Sequence, residues 1–238
     1  MKVCIILPTY NEKENISNLL ENLLVVFEKN NDYDMNILVV DDNSPDGTQD
    51  IVKKFLEDKR VNMITGEKQG LGAAYIRGFR YAINKLKADV VFEMDADFSH
   101  KPNDIPRFLN EINNDYDFII GSRYIPGGDT PDWGIIRKTI SSSGNFFARS
   151  IAGLKKVHDC TSGYRAIRTD LIKKMDLNKI DAQGYSFQMN LLWFALKNNA
   201  KVKEIPIIFN DRNLGNSKMR LKDLMEFFMN SFKLRWGE

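Results

Sequence analysis

Residues 90–97 read VVFEMDAD, a short apolar run that ends in two acidic side chains. An apolar run rich in β-branched residues predicts a buried strand, and open α/β sheets bind their ligands at the carboxyl ends of such strands. Asp95 and Asp97 lie one residue apart at this end and offer the oxygen ligands that Mg²⁺ or Mn²⁺ prefers. Asp41 and Asp42 end an earlier apolar run in the same way. Two acidic strand ends in one chain indicate a site for a nucleoside diphosphate and a divalent cation.

Strand and helix patterns alternate along the first half of the chain. Apolar runs predict the strands, and apolar residues at helical spacing predict the helices between them. The predicted strands are 3–7, 37–40, 61–64 and 90–94, and the predicted helices are 15–27, 48–56 and 73–86. This order predicts an α/β fold, with a mostly parallel central sheet covered by helices on both faces.

The second half is less regular. Strands are predicted at 118–120 and 202–209, and helices at 135–151 and 221–236. In the last helix, apolar residues share one face and basic residues flank it. That pattern is typical of a helix packed on the core and also of one lying at a membrane surface. With 238 residues and no low-complexity linker, the chain is predicted to be a single domain.

Composition excludes several classes of function. The formal net charge of +2 is too small for general nucleic-acid binding, so no nucleic-acid partner is expected. Cys4 and Cys160 are too far apart in sequence to form a metal-binding pair, and Cys4 within a buried strand favours a reducing, cytosolic setting. No apolar run is long enough to cross a bilayer, and the apolar start is interrupted too early for a signal peptide.

Gly70 and Gly72 suggest a dinucleotide-binding loop but do not complete its pattern. The third glycine of that pattern would fall at Tyr75, and the phosphate-loop motif with its Lys-Ser/Thr ending is missing. These glycines are therefore predicted to shape a turn and the start of a helix.

Three segments follow one another in an order that resembles a known family. They are LPTYNE at 7–12, VDDNSPDGT at 40–48 and MDADFSH at 94–100. Together they resemble the signature of the inverting family 2 glycosyltransferases of the GT-A fold. Two further segments, GSRY at 121–124 and DCTSGYR at 159–165, resemble the members that transfer mannose to dolichyl phosphate. The resemblance covers residues 2 to about 219.

The resemblance implies a donor site along the first strands. The implied donor-binding residues are Pro8, Tyr10, Glu12, Asp42, Asp95, Ala96 and Asp97. Pro8 would end the first strand and direct Tyr10 and Glu12 toward the base and ribose, whereas Asp41 is as well suited to capping the next turn. Asp95, Asp97 and Ser99 are the implied ligands of Mg²⁺ or Mn²⁺, and a solvated acidic loop is the alternative. Relatives often carry Gln at the Ser99 position, so this weaker hydroxyl ligand is expected to act through water.

The resemblance also implies an acceptor site. Arg137 and Ser141 are one helical turn apart, and a guanidinium beside a hydroxyl suits a phosphate group. With Arg123 they would hold the phosphate of dolichyl or another polyprenyl phosphate. Arg212 and Lys218 flank a polar segment that resembles the mobile loop over the donor diphosphate, although a solvated basic loop is the alternative. The implied catalytic residues are Asp97, Arg123 and Arg212.

Asn190 departs from the family pattern, because relatives often carry Glu at this position. A carboxylate base is needed to deprotonate a sugar hydroxyl. A phosphate monoester, in contrast, has its second pKa near 6 and is already a nucleophilic anion at neutral pH. A neutral Asn190 therefore favours a lipid-phosphate acceptor over a sugar acceptor.

The resemblance thus implies transfer of mannose from GDP-mannose to dolichyl or another polyprenyl phosphate, with inversion at the anomeric carbon. Two alternatives stay open: UDP-glucose or another UDP-sugar as donor, and a non-catalytic nucleotide-binding scaffold. The expected location is peripheral, on the cytosolic face of a membrane, which would be the endoplasmic reticulum in a eukaryote and the plasma membrane in a prokaryote. The 221–236 helix is expected to contact the membrane surface or a small membrane-anchoring subunit.

Overall fold

A computed structural model of the chain describes residues 1–180, 186–210, 229, 231–234 and 236. The strands are β1 (Lys2–Thr9), β2 (Asp34–Asp41), β3 (Val61–Thr65), β4 (Val90–Glu93), β5 (Phe118–Ser122), β6 (Arg165–Arg168) and β7 (Val202–Pro206). The helices are α1 (Ile16–Glu28), α2 (Thr48–Phe55), α3 (Leu71–Tyr81), α4 (Ile105–Asn113), α5 (Ile135–Ile151), α6 (Thr169–Lys174) and α7 (Ser186–Lys197).

The strands form one seven-stranded sheet in the order β3-β2-β1-β4-β6-β5-β7. Strands β1 to β4 pair in parallel, as do β5 and β7, whereas β6 runs antiparallel to both of its neighbours. The predicted α/β class and the mostly parallel sheet are therefore confirmed. Because the first four strands are adjacent, the sheet consists of an N-terminal half and a C-terminal half that meet where β4 pairs with β6.

Apolar side chains cover the two faces of the sheet in two separate clusters. One cluster packs beneath α1, α2 and α4, and the other beneath α3, α6 and α7. Strand β1 shows the alternation that this requires, since Ile5 and Leu7 face the first cluster while Cys4 and Ile6 face the second. Burial on both faces is what makes the strands read as continuous apolar runs.

Pro8 does not end the first strand as predicted. Strand β1 continues through Thr9, and Pro8 pairs with Val40 of β2. The other neighbour, β4, pairs with β1 only as far as Ile6. The carbonyl of Ile6 accepts from Met94, so the alternating backbone directs the missing N–H of Pro8 to the side where β4 has already ended. Proline is tolerated here because no sheet hydrogen bond is lost.

Helix α3 begins directly after Gly70, whose φ of +100° lies in a region that glycine adopts without strain. The prediction that Gly70 shapes a helix start is thereby confirmed. The helix predicted at 73–86 ends at Tyr81 and continues as one π-helical turn, Ala82–Leu86. Four elements were not predicted from the sequence: α4, β6, α6 and α7. Within the part of the chain that the structure describes, no helix is both long and apolar enough to cross a membrane.

Candidate active site

Asp41 is a structural residue at the end of β2. Its carboxylate accepts hydrogen bonds from the Thr9 hydroxyl at 2.7 Å, from the backbone N–H and the hydroxyl of Ser44 at 2.8 and 2.6 Å, and from the Gln49 amide at 2.7 Å. The side chain is buried and holds the loop after β2 against the end of β1. Of the two roles weighed for the acidic pair, turn capping belongs to Asp41.

Asp42 pairs instead with Arg77 of α3. Gly66 lies beneath that guanidinium, and a Cβ there would come within 2.6 Å of the Arg77 Cζ atom. Tyr10 is exposed nearby along the same sheet edge, and the Lys68 ammonium lies 3.3 Å from the centroid of its ring. The implied base-and-ribose residues are thus accompanied by two cations, Arg77 and Lys68, to which the sequence pattern gives no role.

Glu12 is held at the start of α1. Its backbone N–H donates to the Thr48 hydroxyl at 3.0 Å, and its carboxylate accepts from the Asn15 amide at 3.0 Å. Pro8 lies two residues before Tyr10 on the same strand end. The ends of β1 and β2 therefore bring Pro8, Tyr10, Glu12 and Asp42 to one edge of the sheet, as expected from their positions in sequence.

The segment after β4 carries the second acidic pair. Asp97 is buried, and its Oδ1 atom accepts from the backbone N–H of Ser99 at 3.0 Å and from the Ser99 hydroxyl. Ser99 thus orients Asp97, and direct or water-mediated contact between Ser99 and a metal stays a prediction. The Asp95 side chain is 30% exposed, so it faces the open side of the site.

His100 supports the backbone of the segment that carries the acidic pair. Its Nδ1 atom accepts from the backbone N–H of Asp95 at 3.1 Å, and its ring stacks on Tyr164 with centroids 4.8 Å apart. Burial lowers the pKa of His100 to about 4, and Arg123 lowers it further while Asp97 opposes the shift. The ring is therefore neutral at pH 7 with Nδ1 already occupied, which makes His100 a supporting residue for the acidic pair.

The acidic pair fits a hard divalent cation. Carboxylate oxygens are the donors that Mg²⁺ and Mn²⁺ prefer. Asp95 and Asp97 would supply two protein ligands, and no cluster of three His, Cys, Asp or Glu side chains suited to a metal ion occurs among the described residues. That ligand count is typical of Mg²⁺ sites in which substrate phosphates and water complete the coordination.

Arg123 follows β5 and is bound tightly to Asp159. Its Nε and Nη2 atoms donate to the two carboxylate oxygens at 2.7 and 2.8 Å, and Nη2 also donates to the Thr161 hydroxyl at 2.9 Å. Burial lowers the pKa of Arg123, but its charge pairing with Asp159 more than offsets this, so the net pKa is raised and the side chain stays charged. Nη1 is the remaining nitrogen with which Arg123 can meet a ligand.

Arg137 and Ser141 lie on α5, and α5 brings them beside Arg123. The guanidinium carbon of Arg137 is 4.1 Å from the centroid of the Trp133 ring, and that of Arg123 is 5.4 Å from the same centroid. The Tyr124 hydroxyl donates to the Ser141 hydroxyl at 2.6 Å. The structure therefore brings the three implied acceptor residues together around two aromatic side chains. Neither Trp133 nor Asp159 could be assigned a role from the sequence, although Asp159 stands in one of the motifs.

A second set of buried polar side chains lies beneath the acidic pair. Glu93 ends β4, and its carboxylate is 3.8 Å from Nε of Arg165, directly across the β4–β6 pairing. Arg165 donates to the backbone carbonyls of Gln188 and Cys160 at 2.7 and 2.9 Å. Burial raises the pKa of Glu93 to about 7, against the opposing effects of Arg165 and of the Gln188 amide.

Asn190 is buried in α7, and its amide donates to the carbonyl of Ser186 at 2.8 Å. It therefore bonds within its own helix. Arg212 and Lys218, the implied cations of the loop over the diphosphate, lie outside the described residues, as does most of the predicted 221–236 helix. Residues 229, 231–234 and 236 of that segment are helical.

The two halves of the sheet thus present different chemistry at one edge. The N-terminal half carries the acidic pair and the residues suited to a nucleotide, and the C-terminal half carries arginines and hydroxyls suited to a phosphate. This arrangement on a mostly parallel sheet is the architecture expected of glycosyltransferases with the GT-A fold. Residues 4–176 match Glycosyl transferase family 2, and the chain belongs to this family.

Two relatives are similar over nearly the whole chain. Polyprenol monophosphomannose synthase of Mycolicibacterium smegmatis is 39% identical over 240 residues, covering 99% of this chain and 87% of that protein. Undecaprenyl-phosphate mannosyltransferase of Micrococcus luteus is 40% identical over 239 residues, covering 100% of this chain and 94% of that protein.

A solved structure shows the same fold. Glucosyl-3-phosphoglycerate synthase of Mycobacterium tuberculosis, in complex with Mn²⁺, uridine-diphosphate-glucose and phosphoglyceric acid, superposes with a TM-score of 0.69. It is 17% identical in sequence, and the match covers 99% of this chain and 80% of that one. The expected GT-A fold and the family 2 resemblance are therefore confirmed.

Proposed function

We propose that this chain transfers mannose from GDP-mannose to the phosphate of a polyprenyl phosphate such as dolichyl phosphate. The observation that carries the proposal is the 39–40% identity, over nearly the full length of the chain, to two proteins named for transfer of mannose to polyprenyl phosphates. A family 2 fold alone would leave both sugar and acceptor open, because one fold supports many specificities.

The arrangement of the sheet supports a donor site on its N-terminal half and an acceptor site on its C-terminal half. The nucleotide would lie over the ends of β1 and β2, near Tyr10 and Asp42. The acceptor phosphate would lie beside α5, where the guanidinium groups of Arg123 and Arg137 both lie over Trp133 and Ser141 bonds to Tyr124. Cationic donors of this kind bind phosphate oxygens by charge-assisted hydrogen bonds. The anomeric carbon of the donor sugar would then lie between the leaving diphosphate and the attacking acceptor phosphate.

Asp95 and Asp97 would hold Mg²⁺ or Mn²⁺, with Asp97 oriented for this by Ser99. A cation bound there supplies positive charge to the oxygens of the donor diphosphate. The neutral His100 positions the backbone of Asp95 and leaves both carboxylates in place for the cation. Arg212 and Lys218 are proposed to add positive charge over the same diphosphate.

The bond changes require no protein base. An oxygen of the acceptor phosphate forms a bond to the anomeric carbon as the bond from that carbon to the diphosphate oxygen breaks, and attack from the opposite face inverts the configuration. The acceptor is already ionised at neutral pH, since its second pKa is near 6. Asn190, which is bonded to its own helix, is therefore compatible with the reaction. Positioning and electrostatic stabilisation supply the rate acceleration.

A membrane surface is the proposed setting, because the acceptor carries a polyprenyl chain. Helix α5, which bears Arg137 and Ser141, also exposes a large apolar surface: Ile135 is 84% exposed and Ile136 is 78% exposed, with Phe146 and Phe147 further along. Met229, Phe232 and Trp236 of the C-terminal segment are exposed as well. We propose that these side chains contact the interface of the bilayer in which the acceptor resides.

The test is a donor comparison with one acceptor. Purified protein with Mn²⁺ or Mg²⁺ is incubated with GDP-mannose or UDP-glucose and a short polyprenyl phosphate, and the lipid product is identified by mass spectrometry. Mannosyl lipid formed only from GDP-mannose is the expected result. Glucosyl lipid formed from UDP-glucose would contradict the donor, and nucleotide binding without any transfer would indicate a scaffold.

A further inference from the structure

Gln188 is a buried amide without a hydrogen-bond partner. Its residue is 4% exposed, and within the described part of the chain neither Oε1 nor Nε2 meets a donor or acceptor at hydrogen-bonding distance and angle. The amide is close enough to Glu93 to oppose the rise of that carboxyl's pKa, yet no hydrogen bond of normal geometry forms between them. A buried amide of this kind is costly to the fold unless something satisfies it.

The amide of Gln188 is directed toward Gly163 and the acidic pair. A Cβ placed on Gly163 would lie 3.7 Å from Nε2 of Gln188 and 3.6 Å from Oδ2 of Asp95. The space that this glycine leaves is therefore bordered on one side by an amide and on the other by a carboxylate. Gly163 itself is half-buried, so this space connects with the accessible side of the site.

The position of this space in the sheet indicates what would occupy it. It lies where β4 pairs with β6, between the half that carries the nucleotide residues and the half that carries the acceptor residues. In a transfer reaction, the group that moves must lie between the leaving group and the nucleophile. For a glycosyltransferase that group is the sugar, and its hydroxyls both donate and accept hydrogen bonds.

We propose that the Gln188 amide binds a hydroxyl of the transferred sugar in the space over Gly163, and that Gln188 thereby contributes to sugar specificity. This rests on the proposed function only in taking the ligand to be a nucleotide sugar. Asn190, the other buried amide of α7, is bonded to Ser186 and does not compete for this role. Sites that hydrogen-bond a substrate hydroxyl discriminate strongly, because the analogue that lacks it leaves a buried group unpaired.

The experiment compares Gln188→Met with Asn190→Leu as a matched control on the same helix. For Gln188→Met we expect kcat/KM with the sugar nucleotide to fall about 10- to 100-fold, while affinity for the free nucleoside diphosphate stays within about twofold. In Asn190→Leu, the ratio of kcat/KM for the sugar nucleotide to the affinity for the free nucleoside diphosphate should stay unchanged. Affinity is measured by calorimetry with GDP and Mn²⁺, and thermal unfolding reports whether each variant folds.

Deoxy-sugar donors then identify the contact. One monodeoxy form of the sugar nucleotide should lower kcat/KM of the unaltered enzyme by a similar factor and cause no further loss in Gln188→Met.

If Gln188→Met fails to fold, Gly163→Ala replaces it. The added methyl group meets its neighbours at ordinary contact distance, and it should weaken binding of the sugar nucleotide but not of GDP.

Three results would overturn the proposal: unchanged kinetics in Gln188→Met, an equal loss of affinity for GDP and for the sugar nucleotide, or additive losses with every deoxy donor. The last two would indicate that Gln188 only supports Glu93. The donor used is whichever nucleotide sugar the unaltered enzyme turns over. Turnover of UDP-glucose in place of GDP-mannose would therefore overturn the proposed donor without deciding the role of Gln188. The same comparison of variants and deoxy donors, made with UDP-glucose, would still test that role.

Discussion

The carboxylate of Asp97 is oriented by two hydrogen bonds from Ser99, and the proposed metal site depends on it. Asp97→Asn keeps the shape and removes the charge, so we expect transfer to fall at least about 100-fold and Mn²⁺ binding to be lost. Ser99→Ala keeps the carboxylate and its hydrogen bond from the backbone N–H and removes only the bond from the hydroxyl, so we expect a loss of about 10-fold. Mn²⁺ titration followed by electron paramagnetic resonance, together with the transfer assay, measures both. Near-normal turnover by folded Asp97→Asn would contradict the metal assignment.

The pairing of Asp159 with Arg123 makes the fold sensitive to acid. Burial alone would raise the pKa of Asp159, but the charge and hydrogen bonds of Arg123 outweigh it and hold the pKa below its usual range. A carboxyl with a lowered folded-state pKa stabilises the protein above its unfolded pKa of about 3.9, and this contribution is lost as pH falls through the folded-state pKa. The pair should therefore contribute fully at pH 7 and progressively less below about pH 4.

We expect Asp159→Asn to lower the free energy of unfolding by about 3 kcal/mol at pH 7, because it leaves Arg123 buried without its counter-charge. The variant should also lose less stability than the unaltered protein between pH 5 and pH 3. Urea unfolding at several pH values measures both effects. Equal stability at pH 7, or an identical acid dependence, would show that the pair contributes little.

Helix α5 combines acceptor residues with an exposed apolar surface, and this pairing predicts how the protein reaches a lipid substrate. Ile135→Ser with Ile136→Ser removes two large apolar side chains from the proposed interface. We expect binding to anionic liposomes to weaken at least about 10-fold, since each side chain would bury most of its surface in the bilayer. Flotation of the protein with liposomes measures this effect.

Ser143→Ala with Ser150→Ala is the matched control, because both serines are exposed on the same helix. Flotation and thermal unfolding should be unchanged in this control. Transfer to a water-soluble phosphate acceptor should survive in both double variants. Unaltered flotation after loss of Ile135 and Ile136 would mean that α5 does not contact the membrane.

Some elements could be predicted from the sequence because one local pattern determines each of them. The predicted helix at 135–151 coincides with α5, since its apolar residues keep helical spacing throughout. Strand β6 could not be predicted, because it has only four residues and begins and ends with arginine. Arg165 is fully buried there, contrary to the usual preference of arginine, and only the partners brought by other elements make this tolerable.

Arg165 also connects the two halves of the molecule. It belongs to β6, faces Glu93 of β4, and donates to carbonyls in α7 and in the segment before β6. We expect Arg165→Met to lower the free energy of unfolding by about 3 kcal/mol, because two buried carbonyls and Glu93 would lose their partner. Arg168→Met is the control: Arg168 also donates to two carbonyls, those of Tyr116 and Ile112, but is only half-buried.

The control should cost about 1 kcal/mol. Urea unfolding compares the two variants. Equal losses would show that burial beside Glu93 adds nothing to the role of Arg165.

The candidate site as a whole was only partly predictable. Its donor half could be inferred because Asp42, Asp95 and Asp97 each follow directly from a recognisable strand. The contacts of the acceptor half could not, since Arg123 meets its partner Asp159 across 36 positions of sequence. Gln188 could not be identified either, because its role depends on the space left by Gly163 on another element.

The strand order has a consequence for synthesis of the chain. Strands β1 to β4 leave the ribosome first and can pair with one another. The other edge of β4 stays unpaired until β6, about 70 residues later in the chain, has been synthesised. At about 5–20 residues per second, that edge stays open for several seconds. Short length and charged flanks discourage an open edge from pairing with another chain. We therefore expect the shortness of β4 and the acidic pair that follows it to limit such pairing in the nascent chain until β6 closes the sheet.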